Sequence, residues 1–155
     1  MFNIRVLMKK LLIILFLACL YSNAALSDVV KPALVEINVG KDRSVKVEVR
    51  ASIEALLTGI NAQYKNTQDA PNAEEYDVYR KMPAAELQLA FESFKQEFLQ
   101  SVLIAVGAEK IELEIQTVDI PPTGYTKVPR ISVIQLTGTI PEMAQSLKWY
   151  YPARF

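Results

Sequence analysis

A chain of 155 residues, 51% of them hydrophobic and with 17 Lys+Arg against 17 Asp+Glu, is sized for one globular domain with its own core. It contains no histidine, which excludes Ser-His-Asp and Cys-His nucleophile chemistry, imidazole general bases and the usual zinc, copper or nickel sites. Cys19 is the single cysteine, so no intrachain disulfide can staple the fold and packing must hold it.

The first element is a leader. Arg5, Lys9 and Lys10 precede an apolar run over residues 11–20, and Tyr21-Ser22-Asn23-Ala24 follows, with no acidic residue before Asp28. A cationic start, an apolar stretch of about ten residues and small residues at −3 and −1 of a cut after Ala24 read as a secretory signal peptide over residues 1–24. A membrane span needs roughly 20 apolar residues. An uncleaved anchor is nevertheless a rival reading, with Val6, Leu7 and Met8 added and the lysines snorkelling. Lipidation at Cys19 is another, opposed by the bulky Phe16 and Leu17 before it. The leader removes three of the cations, leaving residues 25–155 with 14 basic and 17 acidic residues and a net charge of −3. That surface offers no electrostatic reason for a nucleic-acid or anionic-lipid partner.

Residues 29–32 read as an extended lead-in, because Pro32 turns its predecessor away from helical torsions. Two alternating segments follow. Val35, Ile37 and Val39 share one face of the first, and Val45, Val47 and Val49 one face of the second, with a polar turn at residues 40–43 between them; this is a hairpin signature. Ile53, Leu56, Leu57 and Ile60 mark a short helix capped by Ser52 and ended near Gly59. Residues 61–71 are polar and predict an exposed loop. Asn72 with Glu74 and Glu75 has the form of an N-cap and capping box for a helix running to about Lys81. Pro83 suits the first position of the next helix. In that helix Leu87, Phe91, Phe94, Phe98 and Val102 form one apolar stripe, which calls for a matching surface, most simply the inner face of a sheet. A strand is expected after about Gln100, a turn at residues 107–110, and a second alternating strand at residues 111–116. Two prolines make residues 120–125 a loop. Strand character returns over residues 130–140 and again over 147–151. The predicted architecture is α+β: an antiparallel sheet or open β-sandwich with a helical block at about residues 52–100 packed on it. Residues 25–155 are expected to form a single extracytoplasmic domain whose abrupt end at Phe155 suggests a longer protein cut short.

Candidate sites are few. Asp69, Asn72, Glu74, Glu75 and Asp77 make the densest set of oxygen ligands, but no glycine supplies a calcium-loop turn, and capping plus solvation is the preferred reading. Glu109, Glu112 and Glu114 alternate on a strand without the cleft that paired catalytic carboxylates need. An aromatic contact surface is the remaining candidate: Trp149, Tyr150, Tyr151 and Arg154 near the C-terminal end, with Tyr76 and Tyr79, are residue types favoured at binding hot spots. The preferred reading, however, takes alternate members of a strand as core and the loop tyrosines as half-buried anchors. No cofactor is expected.

Three stretches carry a resemblance: Lys31-Pro32-Ala33-Leu34-Val35-Glu36-Ile37, then Asp69-Ala70-Pro71-Asn72-Ala73-Glu74-Glu75-Tyr76-Asp77 with Met82-Pro83-Ala84-Ala85-Glu86-Leu87, and Leu147-Lys148-Trp149-Tyr150-Tyr151-Pro152 before Phe155. The chain resembles the extracytoplasmic N-terminal domain of HupE/UreJ-like bacterial membrane proteins. In that family such a domain precedes a transmembrane bundle with histidine motifs linked to nickel or other metal handling. With no histidine present, no metal-site residue of the family carries over. The resemblance implies a non-catalytic binding or docking head, in the periplasm or on the outer face of the inner membrane, with a membrane-embedded or periplasmic protein as partner. The alternative is a free-standing periplasmic binding protein for a small or peptide ligand; no particular small-molecule ligand is identifiable.

Overall fold

Val45, Val47 and Val49 alternate with Lys46, Glu48 and Arg50, and this period of two sets one face of a strand against a core. In the computed structural model, which describes residues 28–142 and 144–155, the segment is β2 (Ser44–Ala51). It pairs antiparallel with β1 (Leu34–Val39), Val35 opposite Val49 and Ile37 opposite Val47. The expected signal peptide, and lipidation at Cys19 with it, lies outside the described residues. At the turn, the Arg43 N–H donates to the Gly40 carbonyl (3.0 Å) and the Gly40 N–H to the Ser44 carbonyl (2.8 Å), with Arg43 in the left-handed region at φ 68°. The Ser44 hydroxyl and amide both donate to Asp42, and they hold its carboxyl below the usual range.

The helical block follows. Ser52 caps α1 (Ile53–Thr58), its hydroxyl accepting from the Ala55 N–H, and Gly59 ends the helix at φ 68°, a left-handed conformation that costs glycine little. A 3-10 turn (Thr67–Asp69) interrupts the expected loop. Helix α2 (Ala73–Tyr79) stops short of Lys81, because the Lys81 and Met82 amides bond three residues back and tighten the chain out of the helix. Asn72 does not cap it by side chain; its amide instead donates to the Thr58 carbonyl and ties α2 to α1. Pro83 is the N-cap, one position before the helix where the sequence suggested the first turn, and α3 (Ala84–Ser101) runs from there.

Strands β3 (Leu103–Val106), β4 (Glu109–Ile111), β5 (Glu114–Asp119), β6 (Ser132–Thr139) and β7 (Lys148–Tyr150) complete two antiparallel sheets. One is ordered β1-β2-β6-β5 and the other β4-β3-β7. The architecture is α+β, as the pattern of elements predicts. The single strand expected over residues 111–116 is corrected: it is divided, with Ile111 opposite Ile104 in one sheet and Ile115 opposite Leu136 in the other. The side-chain period continues across the break, so Ile111, Leu113 and Ile115 all meet the core although the backbone changes partner. Gly138 makes the corner possible. A Cβ there would stand 2.7 Å from the Glu112 carbonyl oxygen and 3.1–3.2 Å from the Ile111 and Leu113 side chains.

The main core joins Val45, Val47, Val49, Ile134 and Leu136 of the larger sheet to Leu87, Phe91 and Phe98 of α3 and to Ile104 and Ile111 of the smaller one. Phe94 of the expected stripe is only half-buried, and it meets Phe155 edge-on at 5.7 Å. The C-terminal tail, rather than the sheet, covers that part of the helix. A second cluster holds Val30, Ala55, Ile60, Ala70 and Tyr76 beneath the lead-in.

Each buried valine contributes about 1.5–3 kcal/mol relative to exposure. Val47→Asp, which leaves an unpaired charge in the core, is expected to abolish cooperative unfolding in urea, since that cost approaches the ordinary 5–15 kcal/mol of total stability. Gly138→Ala should destabilise by about 1–3 kcal/mol in the same measurement, because the Glu112 carbonyl is backbone and cannot step aside cheaply.

Candidate functional site

The alternation that buries the valines also builds the opposite face. Glu36 and Asn38 of β1 lie beside Glu48 and Lys46 of β2, which in turn lie beside Gln135 and Thr137 of β6. On the far side β5 carries a bulge between Ile115 and Thr117, so Gln116 is an extra residue that bends the strand. These seven polar side chains line a shallow groove of about 510 Å³ across the outer face of the sheet. Four of them are already oriented, Glu48 by Arg50 at 2.6 Å. The Asn38 amide donates to Glu36 (3.0 Å), and the Gln135 amide oxygen accepts from the Thr117 hydroxyl (3.2 Å). With two carboxylates, one ammonium, three amides and a hydroxyl on rigid strands, the face can hydrogen-bond a polar, extended ligand or a protein surface. Among the described residues no group of three or more His, Cys, Asp or Glu side chains could hold a metal ion.

Away from the groove the chain buries two ion pairs. Arg130, in the loop before β6, pairs with Glu54 of α1 at 2.7 Å, with side chains only 6% and 1% exposed. The remaining Glu54 oxygen accepts from the Ser52 hydroxyl (2.9 Å). The Arg130 guanidinium also donates to the carbonyls of Met82 (3.1 Å), Tyr79 (3.4 Å) and Pro121 (3.4 Å) and to the Thr123 hydroxyl (3.3 Å). The second pair joins Asp28 to Arg80 after α2; Thr67 donates to the same Asp28 oxygen (2.9 Å), and Arg80 reaches back to Asp77 at 2.7 Å. Tyr76 stands between the two pairs, and burial, followed by the Asp28 and Glu54 carboxylates, pushes its phenol up to about 12.

The six residues expected to form an aromatic contact surface do not come together as one. Tyr76 is 1% exposed and belongs to the second core cluster, which removes it from any surface role in this fold. Tyr79 is half-buried against the main core, and burial, then Glu75, raises its phenol. Trp149 stacks on Tyr151 (6.2 Å between centroids), Tyr151 meets Phe155 edge-on (5.8 Å), and Phe155 packs on Phe98 (5.8 Å). Arg154 lies over the Phe155 ring and bonds Glu97 (2.8 Å) and Ser101 (2.7 Å) of α3. These contacts seat the tail on α3, leaving Tyr150 (58% exposed) and Arg154 open to solvent. Of the oxygen-ligand set, Asp77 pairs with Arg80 and Asn72 serves Thr58, while Glu109, Glu112 and Glu114 are simply exposed.

Sequence reasoning missed the outer-face groove as a site, although the outward residues of each strand were its signal. The charge pairs left no signal at all, since Glu54 and Arg130 are 76 positions apart. Comparison with known protein families, curated proteins and solved structures returns no match. No described helix is long and apolar enough to cross a membrane.

Glu54→Leu should cost about 3–5 kcal/mol in urea unfolding by leaving the Arg130 cation buried and unpaired, and Arg130→Met added to it should recover part of that loss. The phenols have a pH consequence. Tyr76 keeps its proton in the folded chain up to about 12 but loses it near 10 when unfolded, and burial raises Tyr151 in the same sense. The unfolded state therefore binds fewer protons above pH 10, so stability is full below that value and falls as pH climbs toward 12. Unfolding free energies measured from pH 9 to 12 should show this decline, and Tyr76→Phe should flatten it.

Proposed function

We propose that the chain is a non-catalytic extracytoplasmic binding or docking domain, the soluble head of a HupE/UreJ-like membrane protein. The observation that carries the binding role is the open outer face of the larger sheet, where seven hydrogen-bonding side chains line one groove on rigid strands. The leader's charge and apolar pattern supports export, and the family resemblance supports attachment to a membrane-embedded or periplasmic partner. Chemistry that depends on histidine is closed to the chain. Docking instead asks for what the face has: exposed donors and acceptors of both charges whose positions are set by a sheet.

A second reading, a free-standing periplasmic protein for a small or peptide ligand, draws on the groove itself. Its volume of about 510 Å³ falls within the range of ordinary ligand sites, about 300–1,000 Å³. Under that reading a bound ligand raises the melting temperature by mass action, whereas docking to a membrane partner leaves the isolated domain's melting temperature unmoved in a ligand screen.

Export is tested by protease treatment of spheroplasts and N-terminal sequencing: digestion from outside and a first residue at Ala25 are expected, and intact cytosolic protein beginning at Met1 overturns the proposal. Docking is tested at the groove. Lys46→Glu on the exposed face should change stability by less than about 0.5 kcal/mol yet lower co-sedimentation with inner membranes; unchanged co-sedimentation removes the groove from the docking role.

A further inference from the structure

The two sheets have four outer strands, and three of them are guarded against pairing with another chain. β4 and β7 are three residues long. β5 is bulged and carries Glu114 and Asp119. β1 has neither defence: it runs six residues with no bulge and no proline, has one charge at Glu36, and leaves Leu34 and Val39 60% and 53% exposed at its ends. Unbulged and mainly apolar edges of this kind are templates for strand addition.

The hydrogen-bond phase of the hairpin tells which groups the edge presents. The Gly40 N–H donates to the Ser44 carbonyl, and the Ile140 N–H donates to the Arg43 carbonyl on the other side of β2. Bonded and non-bonded pairs alternate along an antiparallel ladder. Leu34, Glu36 and Asn38 therefore bond to β2, while Val35, Ile37 and Val39 turn their amides and carbonyls to the free edge, where no described strand meets them.

We propose that β1 pairs antiparallel with β1 of a second copy of this chain about a two-fold axis at Ile37, joining two four-stranded sheets into one of eight. The sequence of the strand selects both partner and register. Bonded pairs across the new ladder must unite Val35, Ile37 and Val39 with one another. Centring on Glu36 sets two carboxylates face to face, and centring on Asn38 shortens the overlap to the last three residues of the strand. Centring on Ile37 places Val35 against Val39 and Ile37 against itself on the core side, while on the outer side each Glu36 carboxylate faces the Asn38 amide of the other copy. Donor and acceptor have the right reach, for the same two side chains already bond within one strand at 3.0 Å. Apolar, acceptor, apolar, donor, apolar is a pattern complementary to its own reverse, and that is what a two-fold interface requires. The pairing also makes the polar grooves of the two copies one continuous face. It does not depend on the docking role proposed above.

Light scattering of the purified exported protein in the micromolar range should give twice the single-chain mass. Ile37→Pro should give the single-chain mass with an unchanged circular-dichroism spectrum, because the amide it removes is not used in the ladder to β2. Register is read separately. In a Cys19→Ser background, an equal mixture of the Glu36→Cys and Asn38→Cys variants should form a mixed disulfide in higher yield than either variant forms alone, and this readout holds if Ile37→Pro loses its fold. A wild-type protein of single-chain mass, a dimer that survives Ile37→Pro, or equal disulfide yields in all three samples overturns the proposal. So does a monomer that orders an added strand-forming peptide at this edge, which would assign it to a foreign partner.

Discussion

One buried charge pair organises the joint between the helical block and the sheets. Glu54 sits in the first turn of α1 and Arg130 in the loop that delivers β6, and their side chains meet out of water at 2.7 Å. Removing two charges from solvent is costly unless every lone pair and proton is used. Here the carboxylate also takes the Ser52 hydroxyl, and the guanidinium spreads over carbonyls at Tyr79, Met82 and Pro121. Two of those carbonyls have a second partner, since Tyr79 also takes the Met82 amide (3.0 Å) and Met82 the Thr123 hydroxyl (2.7 Å), so the guanidinium links turns that are themselves bonded. The arginine thus closes the end of α2, the start of α3 and the proline loop with one side chain. The Asp28–Arg80 pair anchors the lead-in before β1 but is less fully bonded, since one Asp28 oxygen and Arg80 Nε are buried without a partner.

With the helices fixed on one side, the larger sheet is free to present the other. Because successive side chains on a strand point to opposite faces, the valines that fill the core oblige Lys46, Glu48 and their neighbours to lie outward. The groove needs no dedicated loop; it follows from the pleat and from the bulge at Gln116. Gly138 has an equally local reason for being glycine, since it lets the chain cross from the smaller sheet to the larger against β6. The bulge and the corner both belong to β5 or its approach, and together they leave β1 as the plain edge.

Periodicity made much of this legible. The hairpin, the Ser52 and Gly59 ends of α1, the α3 stripe and the α+β class follow from repeats of two or about 3.6 residues, which are properties of neighbouring positions. The misreadings have one cause. Ile111, Leu113 and Ile115 keep a common face while the backbone changes sheet, so a side-chain pattern could not reveal the break. Tyr76 and the C-terminal aromatics carried two readings, core or contact surface, because composition says what residues can do at an interface, not whether they reach one. Asn72 looked like a cap, yet a carbonyl 14 residues earlier claimed its side chain.

The sequence by itself determined the absence of histidine chemistry, the lack of any disulfide in the fold, and which residues of each strand and helix would turn inward, because each depends on composition or on local geometry. Only the tertiary structure decided which charges pair in the interior, which aromatics the C-terminal tail lays against α3, where the polar groove lies and which strand is left at an open edge. These depend on contacts between residues far apart in the chain. Loop closure brings such residues together only when the whole core condenses, so no local pattern records them.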